Sequence, residues 1–229
     1  MSIKLNYYGH SCFSIEIDGK TLLFDPFITG NELAKNIAIN GIKADYILIS
    51  HGHSDHTGDA IAIAHRTGAT VISSFEIVEW CRKQGVKNTH PMNTGGRFGF
   101  DFGKVKCVNA IHSSVLPDGT YGANPMGFVI EYDGGAVYYA GDTALTMDMK
   151  LIPMICPRLT LAVLPIGDNF TMGTADAVLA SDFIACDNIL GVHYDTFGWI
   201  KMDHAAAQKQ FADKGKTLHL MAIGETKEF

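Results

Sequence analysis

Apolar and polar residues alternate along the first part of the chain with the two-residue period of a half-buried β-strand. This alternation is seen in IKLNYYG and CFSIEID, and the Asp18-Gly19 dipeptide that follows is typical of a tight hairpin turn into KTLLFD. The apolar run DYILIS has the length of a short buried strand. The pattern predicts strands that form a meander at the start of the chain.

Helical periodicity begins after this meander. The segments TGDAIAIAHRTG and FEIVEWCRKQG predict two helices, which end at Gly68 and Gly85, with the strand ATVISS between them. Strands and helices therefore alternate here, as they do in a parallel βαβ arrangement.

The second half repeats this order of elements. RFGFDFGKVKCVNAIH alternates around a turn near Gly103, and MGFVIEYDGGAVYYAGD predicts a hairpin over residues 133–135. The remaining segments are strands and helices in turn: LTLAVLPIGD, TADAVLASDFIACD, NILGVHYD, DHAAAQKQFADKG and TLHLMAIGE. This two-fold rhythm predicts one domain spanning 1–229, built from two α/β halves that pack sheet to sheet with helices outside.

Composition narrows the class of protein. Of 229 residues, 47% are apolar and 18% charged, which suffices for a real core. The net charge of −6 and the lack of a basic run argue against binding to nucleic acid or membranes through charge. Five scattered cysteines without a CxxC pair, and no apolar leader or span, predict reduced thiols in a soluble cytoplasmic protein. Exposed sheet edges leave room for a homo-oligomer.

The segment ISHGHSDHTGD, residues 49–59, carries the candidate chemistry. His51 and His53 are two apart in an extended segment, so both side chains can face one metal ion. The chain then turns into a helix, which lets Asp55 and His56 point towards a second position a few ångströms away. Imidazole and carboxylate ligands suit Zn²⁺, Mn²⁺ or Fe²⁺ rather than a structural cysteine-type zinc site.

Four residues do not complete two metal sites, so further ligands are expected at later strand ends. Three candidates each follow an apolar strand at its carboxyl edge: His112, Asp142 and His193. Sheets whose strand ends converge would bring these residues to the motif.

The order H-x-H-x-D-H, then a lone His, then Gly-Asp-Thr after a hairpin, then a final His resembles the metallo-β-lactamase superfamily over nearly the whole chain. The resemblance implies a four-layer αββα sandwich, with two mixed sheets, helices outside and a dinuclear site at one sheet edge. It implies one ion held by His51, His53 and His112, another held by Asp55, His56 and His193, and Asp142 as the bridge. Two divalent ions are expected, zinc first, with manganese, iron or nickel as alternatives.

The strand ends GHSCF and LLFDP resemble the branch that includes ascorbate-6-phosphate lactonases and N-acyl phospholipid-cleaving phosphodiesterases. The segments IHSS, NPMGFVI and LPIGDNFTMG resemble small bacterial and archaeal metal-dependent hydrolases of unassigned substrate. In this context Asp25 is expected to accept a hydrogen bond from a ligand histidine, the alternative being a turn aspartate before Pro26. His10 is either a hydrogen-bonded strand-end residue or a group beside the metals that contacts substrate.

Residues that follow the later strand ends could line a substrate pocket or be ordinary loop residues. They are Asn169, Thr171, Met172, Tyr194 and Thr196. The loop 113–127 is long enough to be functional. The other histidines lie outside the pattern and are expected to be non-catalytic: His65, His90, His204 and His219. Asp203 is expected to cap the helix that His204 begins.

Two divalent ions can share a hydroxide, which acts as the nucleophile at neutral pH. The leading hypothesis is a hydrolase that cleaves a lactone, carboxylic ester or phosphodiester in a small molecule, with Asp55 orienting the hydroxide or shuttling its proton. His10 and metal-bound water are the candidate proton donors to the leaving group. The alternatives are an iron-dependent oxidoreductase on the same ligands and a non-catalytic metal-binding protein, which would be expected to have lost ligands.

Overall fold

The computed structural model describes residues 2–229, and the chain divides into two compact units. The N-terminal unit contains residues 2–93, 113–125 and 222–229, and the C-terminal unit contains 94–112 and 126–221. Each unit holds one seven-stranded mixed sheet. The two α/β halves expected from the sequence are therefore present, and the single domain over 1–229 stays a prediction.

The sheet of the N-terminal unit has the strand order β14-β1-β2-β3-β4-β5-β6. Its strands are β1 (Lys4–Gly9), β2 (Cys12–Ile17), β3 (Lys20–Phe24), β4 (Tyr46–Leu48), β5 (Thr70–Ser74), β6 (Thr89–Met92) and β14 (Thr226–Glu228). Its helices are α1 (Ser54–Thr57), α2 (Ala60–Thr67) and α3 (Phe75–Lys83), with 3₁₀ turns at Glu32–Ala34 and Ile39–Gly41.

The sheet of the C-terminal unit has the order β13-β12-β11-β10-β9-β8-β7. Its strands are β7 (Arg97–Phe100), β8 (Gly103–Asn109), β9 (Met126–Tyr132), β10 (Gly135–Tyr139), β11 (Leu159–Pro165), β12 (Asn188–Val192) and β13 (Thr217–His219). Its helices are α4 (Ile152–Ile155), α5 (Thr174–Phe183) and α6 (His204–Ala212), with 3₁₀ turns at Met147–Leu151 and Gly198–Ile200.

Both sheets follow one plan. In the N-terminal unit β1, β2 and β3 pair antiparallel, and β3 to β6 continue in parallel. In the C-terminal unit β7 to β10 pair antiparallel, and β10 to β13 continue in parallel. Parallel neighbours need crossover connections, which α2, α3 and α5 supply. The repeated rhythm of the sequence is thus a repeated topology.

Each unit has its own apolar core between the sheet and its helices. In the N-terminal unit Ile63 of α2 and Ile77 of α3 pack in one cluster with Ile47 of β4. In the C-terminal unit Ala177 of α5 and Phe211 of α6 pack in one cluster with Leu164 of β11 and other strand residues. A fully buried side chain of this size contributes about 1.5–3 kcal/mol, so the helices are held mainly by this burial.

Local signals mark helix ends as expected. Gly68 ends α2 with a left-handed φ of 72°, and its N–H donates to the Ala64 carbonyl. Asp203 caps α6, since its side chain accepts a hydrogen bond from the Ala206 N–H. Over residues 2–229, no helix combines the length and the apolarity that a bilayer crossing requires.

Three parts of the sequence prediction differ from the structure. The strands β6 and β14 lie at the two edges of the N-terminal sheet and were not expected. The strand predicted for TLHLMAIGE is wrong beyond His219, because β13 is an edge strand of three residues and the chain then enters the N-terminal unit at Ala222. The first predicted helix is divided into α1 and α2, which begin on either side of Gly58.

Candidate metal centre

The H-x-H-x-D-H motif begins directly after β4, at the carboxyl end of a buried strand. His51 is buried, and its Nε2 lies 2.9 Å from Nδ1 of His53. The two imidazoles therefore lie next to each other, because side chains two residues apart in an extended chain point to the same side. Two nitrogen ligands at this separation suit a single divalent ion.

The chain turns from strand to helix at His53, which is the extended residue before α1. This turn places Asp55 and His56 in the first helical turn, with Oδ2 of Asp55 3.8 Å from Nε2 of His56. The rings of His51 and His56 lie 4.2 Å apart between centroids. One short turn therefore gathers three imidazoles and one carboxylate.

Asp25, which follows β3, holds this turn in place through hydrogen bonds. Its fully buried carboxylate accepts hydrogen bonds from the Ser50 N–H at 2.7 Å, the Ser50 hydroxyl at 2.5 Å and Nδ1–H of His56 at 2.7 Å. The Nδ1 bond fixes the His56 tautomer and leaves Nε2 as the ligand atom. Ligand atoms of Asp25, His51 and His56 all lie within 4.8 Å of one another.

His10 lies at the end of β1, and its Nε2 is 3.1 Å from Oδ2 of Asp55. Its ring is buried and makes edge contacts with Phe27 and with His56. The side chain of Asp55, its partner, is partly exposed. His10 therefore lies beside the motif, and a contact of His10 with substrate stays a prediction.

Among the described residues, the groups of side chains that could hold a metal ion do not include the thiol of the neighbouring Cys12. Burial raises the pKa of this thiol well above its usual range. The donors of the N-terminal unit are thus imidazole and carboxylate, a chemistry that fits Zn²⁺ and similar divalent ions.

The loop 113–125 packs directly against the motif. The Gly52 N–H donates to the Ser114 hydroxyl at 2.9 Å, and that hydroxyl donates to the Gly122 carbonyl at 2.6 Å. The Ser113 hydroxyl lies 3.4 Å from Nε2 of His53. Sequence reasoning did not assign these serines a role, although the IHSS segment that contains them was part of the family resemblance.

The C-terminal unit brings the other three candidates together. Nε2 of His193 lies 3.0 Å from Oδ2 of Asp142, and Nε2 of His112 lies 3.6 Å from the same oxygen. These residues follow β12, β10 and β8, which run in the same direction in one sheet, so the carboxyl ends of the three strands lie at a common edge. A carboxylate between two imidazoles is the arrangement expected of a bridging ligand.

Hydrogen bonds join the loops of His112 and Asp142. The hydroxyl of Thr143 accepts from the Ile111 N–H at 3.0 Å, and the Ala144 N–H donates to the Ile111 carbonyl at 3.0 Å. The loop that contains Met172 is attached to Thr143 as well, because the Met172 N–H donates to the Thr143 carbonyl. Thr143 follows Asp142 in the Gly-Asp-Thr sequence and was not predicted as a positioning residue.

The predicted pocket residues lie on two loops of this unit. Asn169 has a left-handed backbone and Thr171 is partly exposed, whereas Met172 and Tyr194 are buried in the apolar core. Packing alone accounts for Met172 and Tyr194, and a substrate pocket at these positions stays a prediction.

One histidine outside the pattern has a partner beside the site. Nε2 of His204 lies 2.6 Å from Oδ2 of Asp195, two residues after His193, and its ring contacts Tyr194. His65 and His219 make hydrogen bonds with Gln84 and Asn188, far along the chain from the motif. The prediction that these histidines and His90 are non-catalytic is untested.

Comparison with known proteins decides the family. The sequence profile described as "Beta-lactamase superfamily domain" matches residues 4–193. The chain belongs to the metallo-β-lactamase superfamily. Proteins named UPF0173 metal-dependent hydrolase from Flavobacterium johnsoniae and Christiangramia forsetii are 58% and 57% identical to it, each over 99% of this chain and all of that protein.

A solved structure supports the same assignment. Igni18, described as a novel metallo hydrolase from the archaeon Ignicoccus hospitalis, is 35% identical and superimposes with a TM-score of 0.90 over 100% of this chain and 99% of its own. The predicted fold class, two mixed sheets with helices in the metallo-β-lactamase pattern, is confirmed, as is the class of metal-dependent hydrolase. The likeness to ascorbate-6-phosphate lactonases stays a prediction.

Proposed function

We propose that this chain hydrolyses an ester-like bond in a small molecule, namely a lactone, a carboxylic ester or a phosphodiester, with two divalent ions. The observation that carries the proposal is the gathering of imidazole and carboxylate groups around one turn, with ligand atoms of Asp25, His51 and His56 within 4.8 Å of one another. Such donors without thiolate suit a catalytic rather than a purely structural metal site.

The residues that would hold the ions are found in both units. The N-terminal unit offers His51, His53, Asp55 and His56, and the C-terminal unit offers His112, Asp142 and His193. Supporting this, every one of these residues lies in a segment that directly follows a strand of its own sheet. When bound, the ions would supply a nucleophile at neutral pH by acidifying a water, and would polarise the carbonyl or phosphoryl oxygen.

Residues around the ligands would position groups and carry protons. The Asp55 carboxylate is partly exposed and would orient the attacking water. Its contact with His10 at 3.1 Å gives a short route by which a proton leaves or returns to Asp55. Asp25 would hold His56 in one tautomer and orientation. Zinc is the ion that the imidazole-rich set favours, with manganese, iron or nickel as the alternatives to measure.

The proposal is tested by a turnover screen of metal-loaded protein against lactones, carboxylic esters, thioesters and phosphodiesters, with the metal content measured in parallel. We expect close to two ions per chain and hydrolysis of at least one ester-like class. Asp142→Asn should lower both metal content and turnover, because a neutral amide bridges two cations poorly. As a matched control, Asp176→Asn changes a carboxylate in the first turn of α5 and should lower neither.

Two results would contradict the proposal. Metal content well below one ion per chain after reconstitution would exclude the dinuclear site. Iron bound with oxygen consumption, and no turnover of any ester-like class, would replace hydrolysis by the oxidoreductase alternative. An Asp142→Asn protein with wild-type metal content and rate would remove Asp142 from the bridge.

A further inference from the structure

An apolar stripe faces solvent on the helical segment that follows Asp142. It is formed by Met147, Leu151, Met154 and Ile155, whose side chains are 63%, 51%, 78% and 42% exposed. Met147 and Leu151 belong to the 3₁₀ turn, and Met154 and Ile155 belong to α4. These four side chains remain exposed, whereas Met149 and Ile152 of the same segment are buried in the apolar core.

The stripe borders a groove in the C-terminal unit with a cavity volume of about 280 Å³. Leu151, Ile152 and Ile155 line one side, and Cys107 and Val108 of β8 line the other. Such a volume is at the small end of ligand pockets and suits a narrow apolar group. Five of the ten lining residues are apolar, and the polar ones include Lys106, Asn109 and Asp148, so it is the apolar side of the groove that suits an apolar chain.

The groove begins beside the loops that hold two candidate metal ligands. Its polar end is Asn109, whose side-chain amide donates to the Asp148 carboxylate at 2.7 Å. Asn109 precedes His112 by three residues, which is about 10 Å of extended chain. Between them Ile111 exposes an apolar side chain and is fixed by its bonds to Thr143 and Ala144. One exposed apolar side chain, that of Ile111, therefore lies between the groove and His112 along the chain.

We propose that this groove binds the acyl chain of a carboxylic ester whose scissile bond lies at the metal centre. The proposal rests on the hydrolase function proposed above and names its substrate class. Hydrolysis adds water across the acyl C–O bond and releases a carboxylate and an alcohol. The chain-length requirement follows from distance: three backbone bonds advance about 3.3–3.6 Å, so ~10 Å corresponds to about nine bonds. Acyl chains of about nine or ten carbons therefore reach the groove, and chains of about eight carbons or fewer do not.

A second copy of the chain is the competing occupant, and the size of the surface argues against it. Ten residues line the groove, and the stripe adds Met147 and Met154 to them. Stable protein interfaces use about 20–30 residues on each side. The groove is also concave and joined to a ligand-bearing loop, which fits a substrate chain.

The test compares zinc-loaded wild type with Leu151→Asp on p-nitrophenyl esters from butyrate to dodecanoate. For the wild type we expect kcat/KM to rise once the acyl chain exceeds about eight carbons. Leu151→Asp should lower the ratio of kcat/KM for decanoate to that for butyrate about tenfold, through KM, because a charge would then lie against the bound acyl chain. Leu179→Asp, on α5 and 47% exposed, is the matched control and should leave this ratio unchanged.

A binding experiment separates this proposal from the hydrolase function. Calorimetric titration of the zinc-loaded protein with decanoate and with butyrate should show tighter binding of decanoate, and Leu151→Asp should remove the difference. If none of the ester-like classes in the screen is turned over but this binding pattern holds, the hydrolase proposal fails while the proposal that the groove binds an acyl chain is retained. If decanoate binds no tighter than butyrate, or Leu151→Asp binds both as the wild type does, the groove proposal is overturned.

Light scattering across a concentration series tests whether the stripe is instead a contact between copies of the chain. A monomer, or an oligomer that Leu151→Asp leaves intact, is expected. An oligomer that Leu151→Asp dissociates would assign the stripe to contacts between copies and would overturn the acyl-chain proposal. Thermal unfolding of both variants should match the wild type, because all the changed side chains are exposed.

Discussion

Four predicted site residues have a left-handed backbone conformation, which residues other than glycine rarely adopt. The φ angles are 54° for His10, 40° for Asp25, 56° for Asn169 and 57° for His193. Each of these backbone conformations costs of the order of 1–3 kcal/mol of folding free energy. Such a conformation persists only where surrounding contacts fix it, as at functional sites. At Asp25 the compensation is visible, because its carboxylate accepts three hydrogen bonds in a buried position. Asp25 thus combines a strained backbone with a side chain that orients the candidate ligand His56.

Asp25→Asn should weaken zinc binding about ten- to hundredfold. Ser50 and His56 both donate to this carboxylate, and an amide presents an N–H to one of them, which breaks the bond that fixes the His56 tautomer. The measurement is zinc affinity by competition with a chelating indicator. Asp45→Asn is the control, since Asp45 accepts the Thr21 N–H away from the motif.

The urea midpoint of each metal-free variant separates positioning from folding. An Asp25→Asn protein that is less stable without metal, yet binds zinc as the wild type does, would show that Asp25 only supports the fold.

At the scale of elements, the site depends on how closely the motif and the loop 113–125 pack. A Cβ built on Gly52 would lie 3.1 Å from the Gly122 Cα and 3.2 Å from the Val115 carbonyl carbon. These neighbours are backbone atoms, which cannot rotate away as a side chain does. Glycine at position 52 is therefore required by close approach rather than by its φ, and it keeps the loop over the ligand turn.

Gly52→Ala should lower stability by about 1–3 kcal/mol, the usual range for overpacking, and should reduce turnover by displacing the loop from His53. Urea unfolding and kcat/KM on the best substrate of the screen measure the two effects. Gly41→Ala is the control, because a Cβ there meets nothing within 4 Å. Equal stability and turnover for the two variants would mean that the loop 113–125 accommodates the added methyl group without loss of stability or activity.

At the scale of the whole molecule, buried thiols connect stability to pH. Burial raises the pKa of Cys81 in the N-terminal unit and of Cys107 in the C-terminal unit to about 12. Both are fully buried and hold no disulfide. A thiol with a raised folded-state pKa contributes stability that is complete below its unfolded pKa near 9 and is lost as pH rises towards 12.

The free energy of unfolding should therefore fall between pH 8 and pH 11. Each of the two thiols accounts for about 1.4 kcal/mol at pH 10, since the unfolded thiol ionises one unit above its pKa while the folded thiol does not. Urea midpoints at pH 7 and pH 10 test this. Cys81→Ala is less stable at both pH values because of the cavity, but its loss between them should be smaller than that of the wild type. Identical losses would contradict the assignment to Cys81.

Most elements were predictable because their patterns are local. The helices α2 and α6 are bounded by Gly68 and Asp203, whose conformational and hydrogen-bonding preferences act within one turn. The strands β6 and β14 were missed because THPM and TKE have no apolar alternation. Both are edge strands, which form through backbone pairing to one neighbour and need little apolar patterning.

The ligand chemistry and the local geometry of the motif follow from the amino-acid sequence alone. His51 and His53 share a side because side chains in an extended chain repeat every two residues, and a strand-to-helix turn follows at once. The distant residues that support them are selected by the fold. Parallel pairing of β3 and β4 brings Asp25 beside Ser50, and the fold sets His10 against Asp55 from 45 residues away. The groove beside His112 is likewise tertiary, because pairing across a sheet depends on register between distant segments, which local propensity does not encode.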